Sequence, residues 1–143
     1  MADSQPVLNR RNVGNVGLFY VCYRLSRLGW NVAPTTANGR NIDLLVCSQD
    51  AAHACSVQVK SMSRIGPVPL GLKLNDVHGN FVVICRRLAR NVPECFVLTP
   101  EDVERLAETV ERNGKTTYWL NSEKYDTDDF RDRWDRIAEI LDS

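Results

Sequence analysis

Residues 40–61 read RNIDLLVCSQDAAHACSVQVKS, and the order of polar and apolar positions in them decides the fold. Two extended runs, IDLLV and SVQVK, flank a polar segment between Cys47 and Cys55, the pattern of a hairpin. Side chains alternate along a strand, so Gln58 and Lys60 share one face while Val57 and Val59 share the other. With the strands in register, Asp43 comes opposite Gln58 and Lys60. An acid, an amide oxygen and an ammonium then meet on one small surface. That set suits phosphodiester chemistry: oxygens hold a hard divalent cation, and a lysine faces the phosphate or the attacking water.

On the N-terminal side, residues 1–8 read as a loosely docked arm, and Asn9 or Asn12 caps a helix running to about Leu28. Gly14, Gly17, Leu18, Val21, Cys22, Leu25 and Leu28 form its apolar stripe, with Gly29 placed to end it. Glycine is costly inside a helix, so Gly14 and Gly17 imply that another element lies close. Tyr20, Tyr23, Arg24 and Arg27 lie off the stripe, as solvated surface or as contacts to a nucleic acid backbone. A first strand follows at residues 30–35, then a turn at 36–40 marked by Asn38-Gly39. Residues 41–47 are apolar except at Asp43, as in a strand covered on both faces. An ion pair between Asp43 and Lys60 would be the structural account of those two. Gln58, set between two valines, has no such reason to interrupt its strand.

On the C-terminal side, residues 62–79 hold two prolines and three glycines and read as a long loop beside the site. It brings Ser63, Arg64 and Lys73 near Ser61 as candidate phosphate contacts, or else packs Ile65, Val68 and Leu70 onto the sheet. His53 and His78 read as turn residues. Residues 81–85 form a buried strand, Arg86, Arg87 and Arg90 a basic cluster at its end, and residues 95–98 another strand. Thr99, Pro100, Glu101 and Asp102 open a helix expected to reach about Asn113 and stop at Gly114. Residues 118–120 are extended, and Thr127 caps a last helix with Phe130, Trp134, Ile137 and Leu141 on one face.

Asp43, then fourteen residues, then Gln58-Val59-Lys60 resembles the PD-(D/E)XK nuclease superfamily, in the Gln variant seen among relatives of methylated-DNA restriction endonucleases and Holliday junction resolvases. Gly14, Gly17, Gly29, Trp30, the NID of residues 41–43 and the QVKS of residues 58–61 carry the likeness, which covers residues 12–85. It implies an α/β fold: a three-layer restriction endonuclease-like sandwich whose mixed central sheet is flanked by helices. The chain would be a single domain, with its core at about residues 9–100 and a C-terminal helical part at about 100–143. It implies an endonuclease with Asp43, Gln58 and Lys60 catalytic, and Mg2+ or Mn2+ held by Asp43, the Gln58 side chain and the Val59 main-chain carbonyl. DNA would be the partner, contacted from Arg40, Ser61, Ser63, Arg64 and Lys73, and a symmetric homodimer the acting form. Two positions depart from the pattern. Leu18 stands where active relatives often carry a metal-associated Glu, and Gln58 where a second acid is usual. A nuclease-fold module that binds DNA or assembles on it without cutting therefore stays open beside the endonuclease.

Composition sets outer bounds. A chain of 143 residues that is 43% hydrophobic can build one core, and its five cysteines lack any C-x-x-C pair, so buried thiols are expected rather than zinc or disulfides. No run suits a membrane span and the start MADSQPV lacks signal-peptide character, which together imply a cytoplasmic product. Formal net charge is +0, yet residues 1–90 carry eleven Lys and Arg against four Asp and Glu while residues 91–143 carry seven against fourteen. The basic half holds the candidate site, as a polyanion-binding surface requires.

Overall fold

A computed structural model of the chain describes residues 6–35, 42–74, 79–89 and 92–142. Helix α1 spans Arg10–Arg27; Asn9 is its N-cap, its side chain accepting the Asn12 N–H at 2.8 Å. Gly29 follows with φ +93°, in the left-handed region that ends a helix. Strands β1 (Asn31–Pro34), β2 (Leu44–Cys47) and β3 (Ala54–Ser61) come next. The 36–40 turn with Arg40, together with Asn41, His78 and Arg90, lies outside the described residues.

After β3 come β4 (Val68–Gly71), β5 (Phe81–Arg86) and β6 (Glu94–Leu98). Five of these strands form one mixed sheet in the order β1-β2-β3-β5-β6, with β3 and β5 parallel and the other pairs antiparallel. Three expectations fail beyond β3. Residues 62–79 are not a bare loop: β4 pairs with β8 (Lys115–Leu120), and Pro69 is tolerated because β4 is an edge strand. Nor does one helix fill residues 100–113. Helix α2 spans only Pro100–Leu106, held by a capping box between Thr99 and Asp102, and Ala107 turns the chain extended at ψ 145°. Residues 108–112 then form β7 (Glu108–Arg112), joined to β8 across Asn113 and Gly114, whose φ values of 52° and 76° are those of a two-residue hairpin turn. Strands β4, β8 and β7 make a second, three-stranded sheet. The last helix also begins later than Thr127. Helix α3 spans Ser122–Tyr125 and α4 spans Asp135–Leu141, although Phe130, Trp134, Ile137 and Leu141 are all buried.

Strand alternation divides the interior in two. On one face of the main sheet, Leu44, Val57, Val83 and Val97 pack with Val21 and Leu25 of α1 and Ile137 and Leu141 of α4. On the other, Val82, Ile84, Phe96 and Leu98 pack with Val68, Leu120, Val103 and Tyr125 from the second sheet, α2 and α3. Helices therefore cover one face, while a small sheet with two short helices covers the other. Gly17 explains how α1 comes so near β3: a Cβ there would lie 1.9 Å from Ser61 Oγ. Gly14 has no such neighbour.

The opposed charges of the two halves meet in the second core. Arg86, 1% exposed, donates to Glu94 at 3.0 Å and Asp126 at 2.9 Å and stacks on Phe96 at 4.7 Å. Arg131 covers the same Phe96 ring at 4.9 Å and donates to the same two carboxylates. The basic cluster at the end of β5 is thus partly neutralised by acids of the C-terminal half. All five cysteines are free, Cys85 and Cys95 facing each other across β5 and β6 with sulfurs 3.5 Å apart. No described helix is long and apolar enough to cross a membrane.

Candidate functional site

The site arises because β2 stops before β3 does. Strand β2 pairs with Ala54–Val57 only, its last pair being Leu44 with Val57, whereas β3 continues to Ser61 along β5. The second half of β3 therefore has backbone groups on the β2 side that no described strand meets. Asp43 fills that role from just beyond the ladder. Its N–H donates to the Val57 carbonyl at 3.0 Å, and its Oδ2 accepts the Val59 N–H at 2.7 Å. The acid thus sits off the regular pairing that would have set it square to Gln58, one oxygen held by the strand. The amide and carbonyl of a strand residue project from the same edge, so the Val59 carbonyl opens toward Asp43 as well.

The notch is a cleft of about 370 Å³ whose floor and far wall are Asp43, Val59, Lys60 and Ser61. Its near wall is the N-terminal half of α1, with Arg10, Val13, Gly14, Asn15 and Leu18. Lys60 is half-buried; desolvation holds its ammonium below the usual lysine range, and the attraction of Asp43 offsets this only in part. Lys60 makes no ion pair within 4.0 Å among the described residues. A simple structural pair with Asp43 is therefore not what the geometry contains.

The expected site residues separate into groups. Asp43, Val59, Lys60 and Ser61 come together in the cleft. Gln58 shares the Lys60 face of β3 beside Val82 but does not line the cleft; it is 4% exposed, and its Oε1 has no hydrogen-bond partner. Ser63 is half-buried on the connection after β3, its carbonyl accepting the Ala89 N–H at 3.4 Å, while Arg64 and Lys73 are exposed. Arg40 lies outside the described residues. Leu18 packs against the first core and also faces the cleft, where it offers no ligand. Arg10 and Asn15 are cleft residues that the sequence reading missed. Two arginines opening a helix, where acids are favoured, was the signal available for Arg10.

Other expected contacts are engaged elsewhere. Arg24 donates to Tyr20 at 3.2 Å and pairs with Asp132 at 3.6 Å, and Arg27 lies over Tyr23 at 5.8 Å. A larger cavity of about 820 Å³ lies where α1 ends, lined by Trp30, Trp134, Asp50, Asp135, Asp142 and His53 among others and by no Lys or Arg. Volume alone does not choose the site, since this acidic lining would repel a phosphate backbone.

The oxygens at the cleft are hard donors: Asp43 Oδ1 and the Val59 carbonyl, with the partnerless Gln58 Oε1 on the adjoining strand face. Such a set fits a small divalent cation, which binds through one or two carboxylates and completes its shell with water or substrate phosphate. It contains a single carboxylate, and no group of three or more His, Cys, Asp or Glu side chains able to hold a metal occurs among the described residues. No family model matches the chain, and no curated protein or solved structure matches it either.

Proposed function

We propose that this chain is a metal-dependent DNA endonuclease on a restriction endonuclease-like sandwich, hydrolysing phosphodiester bonds in the cleft between α1 and the overhanging half of β3. One observation carries the reading: Lys60, without an ion pair among the described residues, lines the same cleft as a carboxylate pinned by a strand amide. The order of one helix and three antiparallel strands, with β5 then added parallel to β3 after β4 has left for the second sheet, supports it, as does Asp43 just before β2 with Gln58-Val59-Lys60 on β3.

Asp43, through Oδ1, and Val59, through its carbonyl, are the cleft residues that would hold Mg2+ or Mn2+, with Gln58 Oε1 buried outside the cleft lining. Bound there, the cation would supply Lewis-acid polarisation of the phosphoryl oxygen and a lower pKa for an adjacent water. The Val59 N–H keeps the Asp43 carboxylate from rotating, so its free oxygen is presented in one direction. Lys60, with its pKa lowered, can accept a proton from the attacking water or donate to a phosphoryl oxygen as charge builds up. Water adds to phosphorus, the bond to the leaving sugar oxygen breaks, and that oxygen takes up a proton.

Leu18 favours a second reading. An apolar side chain on the helix wall leaves one carboxylate for the metal, and a cleft of that charge can bind DNA without cutting it. Incubating supercoiled plasmid with Mg2+ or Mn2+ separates the two. Nicked circles are expected from the wild type and none from Asp43→Ala or Lys60→Ala of unchanged circular dichroism. DNA binding without nicks under either metal would transfer the assignment to the binding module.

A further inference from the structure

The N-terminal half of α1 carries two features that the fold does not explain. Helix α1 contains four arginines and no acid, and two of them, Arg10 and Arg11, stand in the first turn, where the helix dipole disfavours positive charge. Arg24 and Arg27 sit at the favoured end and have partners, whereas Arg10 makes no ion pair or hydrogen bond among the described residues and lines the cleft. The second feature is Gly14. Apart from proline, glycine is the least favourable residue inside a helix, and Gly17 has its reason in Ser61, but beyond the adjoining helix backbone no described atom lies within 4 Å of where a Gly14 Cβ would be. Gly14 lines the cleft, and its missing side chain leaves open space there.

We propose that this stretch of α1 seats the sugar–phosphate backbone of DNA, with Arg10 as a phosphate ligand and Gly14 as the gap that lets the strand lie against the helix. A phosphate there meets Arg10 on the helix side, and Lys60 lines the same cleft at the edge of the sheet. The proposal takes its ligand from the reading above but needs no hydrolysis.

Anisotropy of a fluorescent DNA duplex, titrated in EDTA at several salt concentrations, tests it. Arg10→Gln should weaken binding about tenfold and lower the slope of log K against log salt by about one. Gly14→Met should weaken binding comparably by filling the gap, while Gly14→Ala should melt no lower than wild type. Lys124→Gln, on an exposed surface, should change neither affinity nor slope. Unchanged affinity and slope in folded Arg10→Gln and Gly14→Met would overturn the seat, and so would displacement of the duplex by inorganic phosphate as readily as by unlabelled duplex. Wild type that binds in this manner but never nicks plasmid would leave the seat standing and remove the endonuclease. Wild type that nicks, with both variants binding and nicking equally well, would do the reverse.

Discussion

Two cations leave neighbouring strands of one sheet and meet opposite surroundings. Arg86, on β5, is buried between two aromatic rings. Burial alone would lower its pKa, yet hydrogen bonds with Asp126, Tyr125 and Glu94 outweigh that and raise it. Lys60, on β3, is only half-buried but has a single acid near it, and its pKa is lowered. A cation held by two carboxylates is bound into the fold, even with its Nη1 unpartnered among the described residues, whereas an undersupplied one is left with chemistry to do. The same contrast separates the two glycines of α1, Gly17 closed over Ser61 and Gly14 open to the cleft.

Removing Arg86 should break the contrast most visibly. Arg86→Met leaves Glu94 and Asp126 to Arg131 alone beside a buried ring and is expected to lower stability by about 3 kcal/mol in urea unfolding. Lys60→Met, by the same assay at pH 7, should stay within about 1 kcal/mol of wild type. A comparable loss in both would erase the distinction drawn between them.

Gly17→Ala comes next, at about 2 kcal/mol, since its Cβ cannot share space with Ser61 Oγ and neither α1 nor β3 can yield easily. Ser61→Gly should restore most of that stability in the double variant. An additive double variant would show that the close approach is not what Gly17 serves.

Asp43 sharpens the picture at the site itself. Asp43→Ala leaves the Val59 N–H without its acceptor and should cost about 1.5 kcal/mol, whereas Asp43→Asn keeps a carbonyl oxygen for that bond and should cost less. Both should abolish plasmid nicking. Retained nicking in Asp43→Asn would mean that the carboxylate charge is dispensable.

The smallest effect is a slope with pH. Because the folded pKa of Lys60 lies below its ordinary value of 10.5, the unfolded chain binds more protons in the interval between the two. Lys60 therefore opposes folding at pH values below its folded pKa, and stability should rise as pH climbs through that value toward 10.5. Lys60→Met should flatten this alkaline rise, and an identical pH profile in the variant would show that Lys60 is not desolvated.

Much of the site half could be read from the residues. Asn9 as cap, Gly17 as a place of close approach and Gln58-Val59-Lys60 on a strand all have local causes: a side-chain acceptor, a missing Cβ and a period of two. The exact seat of Asp43 could not be read, because it depends on where β2 stops, a matter of chain register rather than of any residue type. The second half was read less well. Leu106 and the acids around it continue a helical pattern, and that hid the strand signal of Thr109, Val110 and Asn113-Gly114, which is as strong as the Asn38-Gly39 signal that was noticed. Strand β4 was hidden by Pro67 and Pro69, since nothing local says that β8, some fifty residues later, lies alongside. Paired arginines at a strand end look like polyanion surface until Glu94, Asp126 and Arg131 are brought to them from a distance.

Helix α4 has a consequence for synthesis. Ile137 and Leu141 share the first core with Val21 and Val57, so α4 seals the sheet face that α1 begins to cover. While a ribosome is still delivering those residues, α1 and β3 have one flank bare, and the cleft between them has no finished scaffold. The first core is incomplete until residues 137–141 arrive, so its folding should be cooperative rather than progressive.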